Sequence, residues 1–170
     1  MKKVLMLMAS VLMVANVAMA DHIGVYGDQT GTSCDLASFG SVYVVHMFSA
    51  GTTASRFKVD ASASSATVTF LNPTIGFVAT GSAATDITVG YGACLTGSGI
   101  VIGQLFLGGS PTGCLKVVAA EAFPFVINVD CNFQENQATG GEACFGGVAG
   151  HCPGTPVQSS TWGQVKALYR

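Results

Sequence analysis

Asp86-Ile87-Thr88-Val89-Gly90-Tyr91, residues 86–91, alternates polar and apolar side chains without a break. A period of two belongs to a β-strand with one wet and one dry face. The pattern recurs upstream in Ser55-Arg56-Phe57-Lys58-Val59. It recurs again in Ala66-Thr67-Val68-Thr69-Phe70-Leu71, where Val68 and Phe70 are expected inward and Thr67 and Thr69 outward. Ser41 to Phe48 is a β-branched and aromatic run bounded by Gly40 and Gly51, too short for a typical helix, and reads as a buried strand. Ile23 and Val25 mark a short first strand, and Gly76 to Thr80 a weaker one. Gly99 to Leu107, the most apolar segment after the leader, reads as a central strand covered on both faces. Leu115–Ala120 and Phe125–Val129 read as the arms of a hairpin turning around Glu121–Pro124.

Gly, Pro, Asn, Ser and Thr turns about 8 to 12 residues apart separate these runs, and no helical pattern lies between them. The fold class is therefore all-β: an antiparallel two-sheet β-sandwich of about eight strands, immunoglobulin-like or jelly-roll. Helical periodicity returns only at the end, where Ser160 or Thr161 caps and Trp162, Val165 and Leu168 or Tyr169 share a face, predicting a short helix over 160–170. Residues 132–158, rich in Gly, Gln, Glu and Pro, read as a long loop stapled by disulfide.

Met1 to Ala20 has the layout of a signal peptide: Lys2 and Lys3, an uncharged run from Val4 to Val17, and the small-x-small site Ala18-Met19-Ala20. Ser10 and Asn16 interrupt a run already short of the roughly 20 residues needed to span a bilayer. Cleavage after Ala20 is expected to leave one domain, 21–170, in the periplasm or outside the cell, with no membrane span. That domain keeps Arg56, Lys58, Lys116, Lys166 and Arg170 against nine acids, a net charge of −4. Few and scattered basic residues argue against nucleic acid.

All six cysteines, Cys34, Cys94, Cys114, Cys131, Cys144 and Cys152, follow the cleavage site. An even count in an exported chain reads as disulfides. Six cysteines allow about 15 connectivities. The hairpin reading favours one of them: Cys114 with Cys131 across the arms, Cys144 with Cys152 in a local loop, and Cys34 with Cys94.

Candidate chemistry is sparse. His46 lies in an apolar strand and reads as a hydrogen-bonded structural residue, His22 as an ordinary exposed one in preference to a copper chelate with the new terminal amine, and His151 as a loop residue between Cys144 and Cys152. There is no G-x-S-x-G elbow, and oxidised cysteines are not nucleophiles. Asp60, Asp86, Asp130 and Glu142 are the acids that a hydrolase would have to assemble from separate loops. No cofactor is expected. A structural calcium held by loop carboxylates is compatible with the sandwich, although Asp28-Gln29-Thr30-Gly31 lacks the other ligands of an EF-hand. Tyr26, Tyr43, Tyr91 and Trp162 are the candidate binding aromatics: a flat row of them on one sheet would favour sugar stacking, and an apolar patch with a polar rim would favour a protein partner.

Asp21-His22-Ile23-Gly24-Val25-Tyr26, Gly31-Thr32-Ser33-Cys34 and Ser160-Thr161-Trp162-Gly163-Gln164-Val165-Lys166-Ala167-Leu168-Tyr169-Arg170 resemble a group of small exported bacterial proteins of unknown function. The strand order, with Arg56-Phe57-Lys58-Val59-Asp60 early and Gly103-Gln104-Leu105-Phe106-Leu107 late, is similar to cohesin-like and carbohydrate-binding sandwiches. The second resemblance implies a non-catalytic binding domain. The sequence therefore points to an exported non-enzymatic module for a protein or glycan ligand, or for the cell envelope. A secreted hydrolase and a self-associating surface or fibre subunit stand as alternatives.

Overall fold

The computed structural model describes residues 21–36 and 41–147, and these form only β-structure. Eleven strands follow in order: β1 (His22–Tyr26), β2 (Val42–Met47), β3 (Thr52–Asp60), β4 (Thr67–Pro73), β5 (Val78–Ser82), β6 (Asp86–Leu95), β7 (Gly99–Gly108), β8 (Cys114–Val118), β9 (Val126–Asp130), β10 (Glu135–Gly140) and β11 (Glu142–Cys144). The leader, the segment expected to form the C-terminal helix 160–170, Trp162, His151 and Cys152 lie outside the described residues.

Two sheets face each other. One runs β4-β7-β2-β1, all antiparallel. The other runs β5-β6-β3 and continues through β8 and β9 to β11 and β10. A short parallel pairing of β1 with β10 joins them along one side. Between them lies the core, where Ile23, Val44, Ile102 and Leu105 from the first sheet meet Phe57, Val59, Ile87, Val89, Leu115 and Val117 from the second. Alternation put these residues there: in β3 Ser55, Phe57 and Val59 are buried, and in β6 Ile87, Val89 and Tyr91.

The expected hairpin at 115–129 does not form. β8 and β9 both pair antiparallel to β3, at Lys58–Asp60 and at Thr52–Arg56 respectively. They are two halves of one strand line, interrupted by an excursion over 119–125. Arg56 holds that excursion, its guanidinium lying 4.1 Å from the Phe123 ring centroid. Cys114 and Cys131 therefore sit at opposite ends of the line instead of face to face. Cys94 bonds to Cys131, and Cys114 to Cys144, its directly opposed neighbour in the β8–β11 register. Cys34 is also disulfide-bonded. All three expected pairings are corrected, because the hairpin that suggested them is absent. The described part of the expected loop 132–158 is likewise mostly strand: β10 and β11 run back along β9 and β8, bending at Gly140-Gly141, where a Cβ on Gly140 would lie 1.9 Å from the Val117 carbonyl.

Candidate functional site

A β-bulge decides what the first sheet shows to solvent. Val68 pairs with Leu107 and Phe70 with Phe106, so Thr69 is the extra residue. The slip turns Phe70 outward, against expectation, and Leu71 inward: Phe70 is 50% exposed and Leu71 7%. A matching irregularity between β2 and β7 keeps Ile102 and Leu105 in the core while Gln104 and Phe106 face out. β7 is thus covered by the core on one face only, another departure from expectation. Phe106 stacks on Phe70, with ring centroids 4.5 Å apart and planes 6° from parallel.

The surroundings of this pair are polar but uncharged. Asn72, Gln104 and Tyr43 stand opposite one another across β4, β7 and β2, and Gln104 Nε2 donates to Ser41 Oγ at 3.3 Å. Phe106 also lines a cleft of about 370 Å3 together with Leu36, Val42, Gln104, Pro111 and Phe145. Of the five large apolar side chains exposed among the described residues, Phe70, Ile75, Val78 and Phe106 lie on β4, the β4–β5 turn, β5 and β7. Residues 61–115, which supply β4 to β7 across both sheets, contain a single charged side chain, Asp86. The fifth exposed residue, Phe133, caps the β9–β10 turn at φ 60°.

Charge is gathered on the outer face of the second sheet. Arg56, Lys58 and Asp60 alternate along β3, Lys116 stands opposite Asp60, and Glu142 opposite Lys116. Three of the five basic residues of 21–170 therefore share a face, where the sequence reading had them scattered. Each has an acid beside it: Arg56 Nε donates to Asp86 at 2.7 Å, Lys58 lies 3.7 Å from Glu121, and Lys116 lies between two carboxylate positions.

The four acids offered for hydrolysis are occupied or misplaced. The hydrogen bond from Arg56 holds Asp86 below its ordinary range, the Ser62 amide does so for Asp60, and the Gln134 and Asn132 amides do so for Asp130. Glu142 lies beside the Cys114–Cys144 disulfide. Among the described residues that trio is the one metal-type grouping of three His, Cys, Asp or Glu ligands, and two of its members are already bonded to each other. Asp28 accepts from Thr32 N at 2.9 Å, Thr32 Oγ1 at 2.7 Å, Ser33 N at 2.9 Å and Thr30 Oγ1. Burial would raise its pKa, but these donors outweigh it and hold the carboxylate low. Its work is to fold residues 28–33 over the outer face of β1–β2, where Gly31, at φ +70°, comes close to Met47, Val45 and Tyr26.

Tyr26 lies under that loop, 1% exposed, and Tyr91 lies between the sheets. No flat row of the four candidate aromatics forms among the described residues, since Tyr26 and Tyr91 are buried and Tyr43 is only partly exposed. The stacked Phe70 and Phe106 were missed. The apolar neighbours Phe70-Leu71 and Leu105-Phe106-Leu107 signalled that alternation breaks there and that one member must face out.

His46 is buried, as read, with Nδ1 3.1 Å from Tyr91 OH, which donates to Ser55 Oγ at 2.7 Å. His22 is buried too, not exposed, because β10 and Gly141 close over it; its Nδ1 lies 3.0 Å from Thr139 Oγ1. Burial lowers the pKa of His22 to about 4 and that of His46 to about 3. Both are neutral structural residues at physiological pH.

No family model and no curated protein matches this chain. A chain from the crystal structure of the CaDoc0917–CaCohA2 complex aligns over 74% of this chain and 99% of its own, with 14% identity and a TM-score of 0.39. The described residues contain no helix long and apolar enough to cross a membrane.

Proposed function

We propose that the protein is an exported, non-enzymatic β-sandwich that binds a protein partner through the outer face of β4 and β7. The observation that carries this reading is the stacked, solvent-facing Phe70–Phe106 pair, with an uncharged polar rim and an adjoining cleft. Contiguous exposed apolar surface costs solubility and is retained where something covers it. An apolar patch with a polar rim favours a protein over a glycan, since the tyrosine row that sugar stacking would use is absent among the described residues. Export is supported by the leader pattern and by disulfides, which need an oxidising compartment. A secreted hydrolase loses support from the local engagement of Asp60, Asp86 and Asp130.

Chemical cross-linking in the exporting cell tests the reading. A discrete protein adduct should form with the wild type and disappear with Phe106→Lys, whose disulfides and melting temperature should be unchanged. Glycan-array binding that Phe106→Lys abolishes, or polysaccharide, ester or peptide turnover, would overturn it. Self-association is the second reading, favoured by the open edges of β4 and β5 within residues 61–85, which carry no charged side chain. Sedimentation separates the two: a concentration-dependent dimer lost in Val78→Lys supports self-association, and a monomer at all concentrations refutes it.

A further inference from the structure

A hydroxyl, a carboxamide and a carboxyl meet in sequence between β3, β9 and the start of β1, away from the binding face. Thr52 and Asn128 are 0% and 1% exposed. The Thr52 hydroxyl donates to Asn128 Oδ1, and Asn128 Nδ2 donates to Asp21 Oδ2. Asp21 is fixed from its other side, its carbonyl accepting from Thr139 N at 2.7 Å and Thr139 Oγ1 at 3.3 Å. Burial raises the Asp21 carboxyl above its ordinary range, even against the Asn128 and Ser49 hydrogen bonds, so it keeps a proton to higher pH. Ser55 also stands opposite Asn128 in the register, but its oxygen is engaged by the Tyr91 hydroxyl.

A nucleophile and an acyl carbon with a nitrogen leaving group are thus in contact where water is shut out, with a half-buried proton carrier on the leaving nitrogen. In free solution a hydroxyl does not displace an amide nitrogen at a useful rate. Fixed contact contributes effective molarities of about 10⁵ M or more in well-oriented intramolecular reactions. Exclusion of water then protects the product from hydrolysis.

We propose that Thr52 and Asn128 join in an intramolecular ester that staples β3 to β9. Thr52 Oγ1 adds to Asn128 Cγ; the Oγ1–Cγ bond forms, the Cγ–Nδ2 bond breaks, and ammonia leaves. The hydroxyl proton passes to Asn128 Oδ1, on which it already lies; Asp21, already on Nδ2, gives that nitrogen its proton and regains one as the Oδ1 hydroxyl collapses to the ester carbonyl. Atoms and charge balance with no oxidant or co-reactant. The staple lies at the end of the sandwich tied by Cys94–Cys131, whose sulfurs press against Gly51, the residue before β3.

Intact mass of the fully reduced wild-type chain tests the ester. The expected result is a deficit of one ammonia, about 17 Da, carried by a proteolytic peptide pair containing Thr52 and Asn128 that hydroxylamine separates. Thr52→Val should restore the full mass, and Asp21→Asn should leave most of the chain unjoined, with Cys94–Cys131 intact in both. A reduced wild type at full mass overturns the proposal. So does a deficit that persists in Thr52→Val, which would place the lost ammonia elsewhere. Because the hydroxylamine test is made on wild-type peptide, it decides the matter even where a variant folds badly.

Discussion

His22 and His46 set how the fold responds to acid. Both are fully buried and neutral, with pKa values of about 4 and about 3 against 6.5 in the unfolded chain. Below 6.5 the unfolded chain takes up protons that the folded one refuses. Stability is therefore complete above that pH and falls as pH drops towards 4, by up to ~1.4 kcal/mol per pH unit for each histidine. Asp28, Asp60, Asp86 and Asp130 are held low and lose their contribution only in stronger acid; Asp21, held high, works weakly in the opposite sense. Denaturant unfolding between about pH 7 and about pH 5 should show this slope, and His46→Gln should flatten it; a flat wild-type profile would mean that the histidines are solvated. Phe106 and Leu105, neighbours on opposite faces of β7, make a second pair of residue-scale expectations. Leu105→Ala should cost about 2–5 kcal/mol by emptying core volume, whereas Phe106→Ala should cost well under 1 kcal/mol. Equal losses would put Phe106 inside and remove the proposed binding face.

At the scale of elements, the disulfides carry the sharpest expectation. Peptide mapping of unreduced protein should give Cys94–Cys131 and Cys114–Cys144, and any peptide joining Cys114 to Cys131 would restore the hairpin that the strand line replaces. Removing Cys114 and Cys144 together should lower stability by about 3–4 kcal/mol in the chain-entropy picture. Gly51→Ala should hinder Cys94–Cys131, because a Cβ there would lie 2.4 Å from Cys131 Sγ; slowed oxidative refolding reads this out. What the sequence made legible at this scale is local alternation. Ile87, Val89 and Tyr91 of β6, and Phe57 and Val59 of β3, are where period two places them. What it hid depends on pairing. The bulge at Thr69 is set by β7, the collinearity of β8 and β9 by β3, and the strand character of 135–144 by neighbours distant in sequence. The exposure of Phe70, and so the candidate site, hangs on one of these long-range facts.

At the scale of the described domain, charge and apolar surface are segregated. The second sheet carries Arg56, Lys58, Asp60, Lys116 and Glu142 outward, while the first carries the Phe70–Phe106 stack with Asn72 and Gln104. A sandwich that needed only solubility would spread its few charges over both faces. Keeping the β4–β7 face charge-free and aromatic fits it for contact. The most direct measurement is site-specific photo-cross-linking in the exporting cell, with the reactive side chain at position 106 on one face or at position 116 on the other. A discrete protein adduct from position 106 and none from position 116 is the expected result. Adducts from position 116 alone, or from neither, would contradict the assignment of the β4–β7 face as the binding surface.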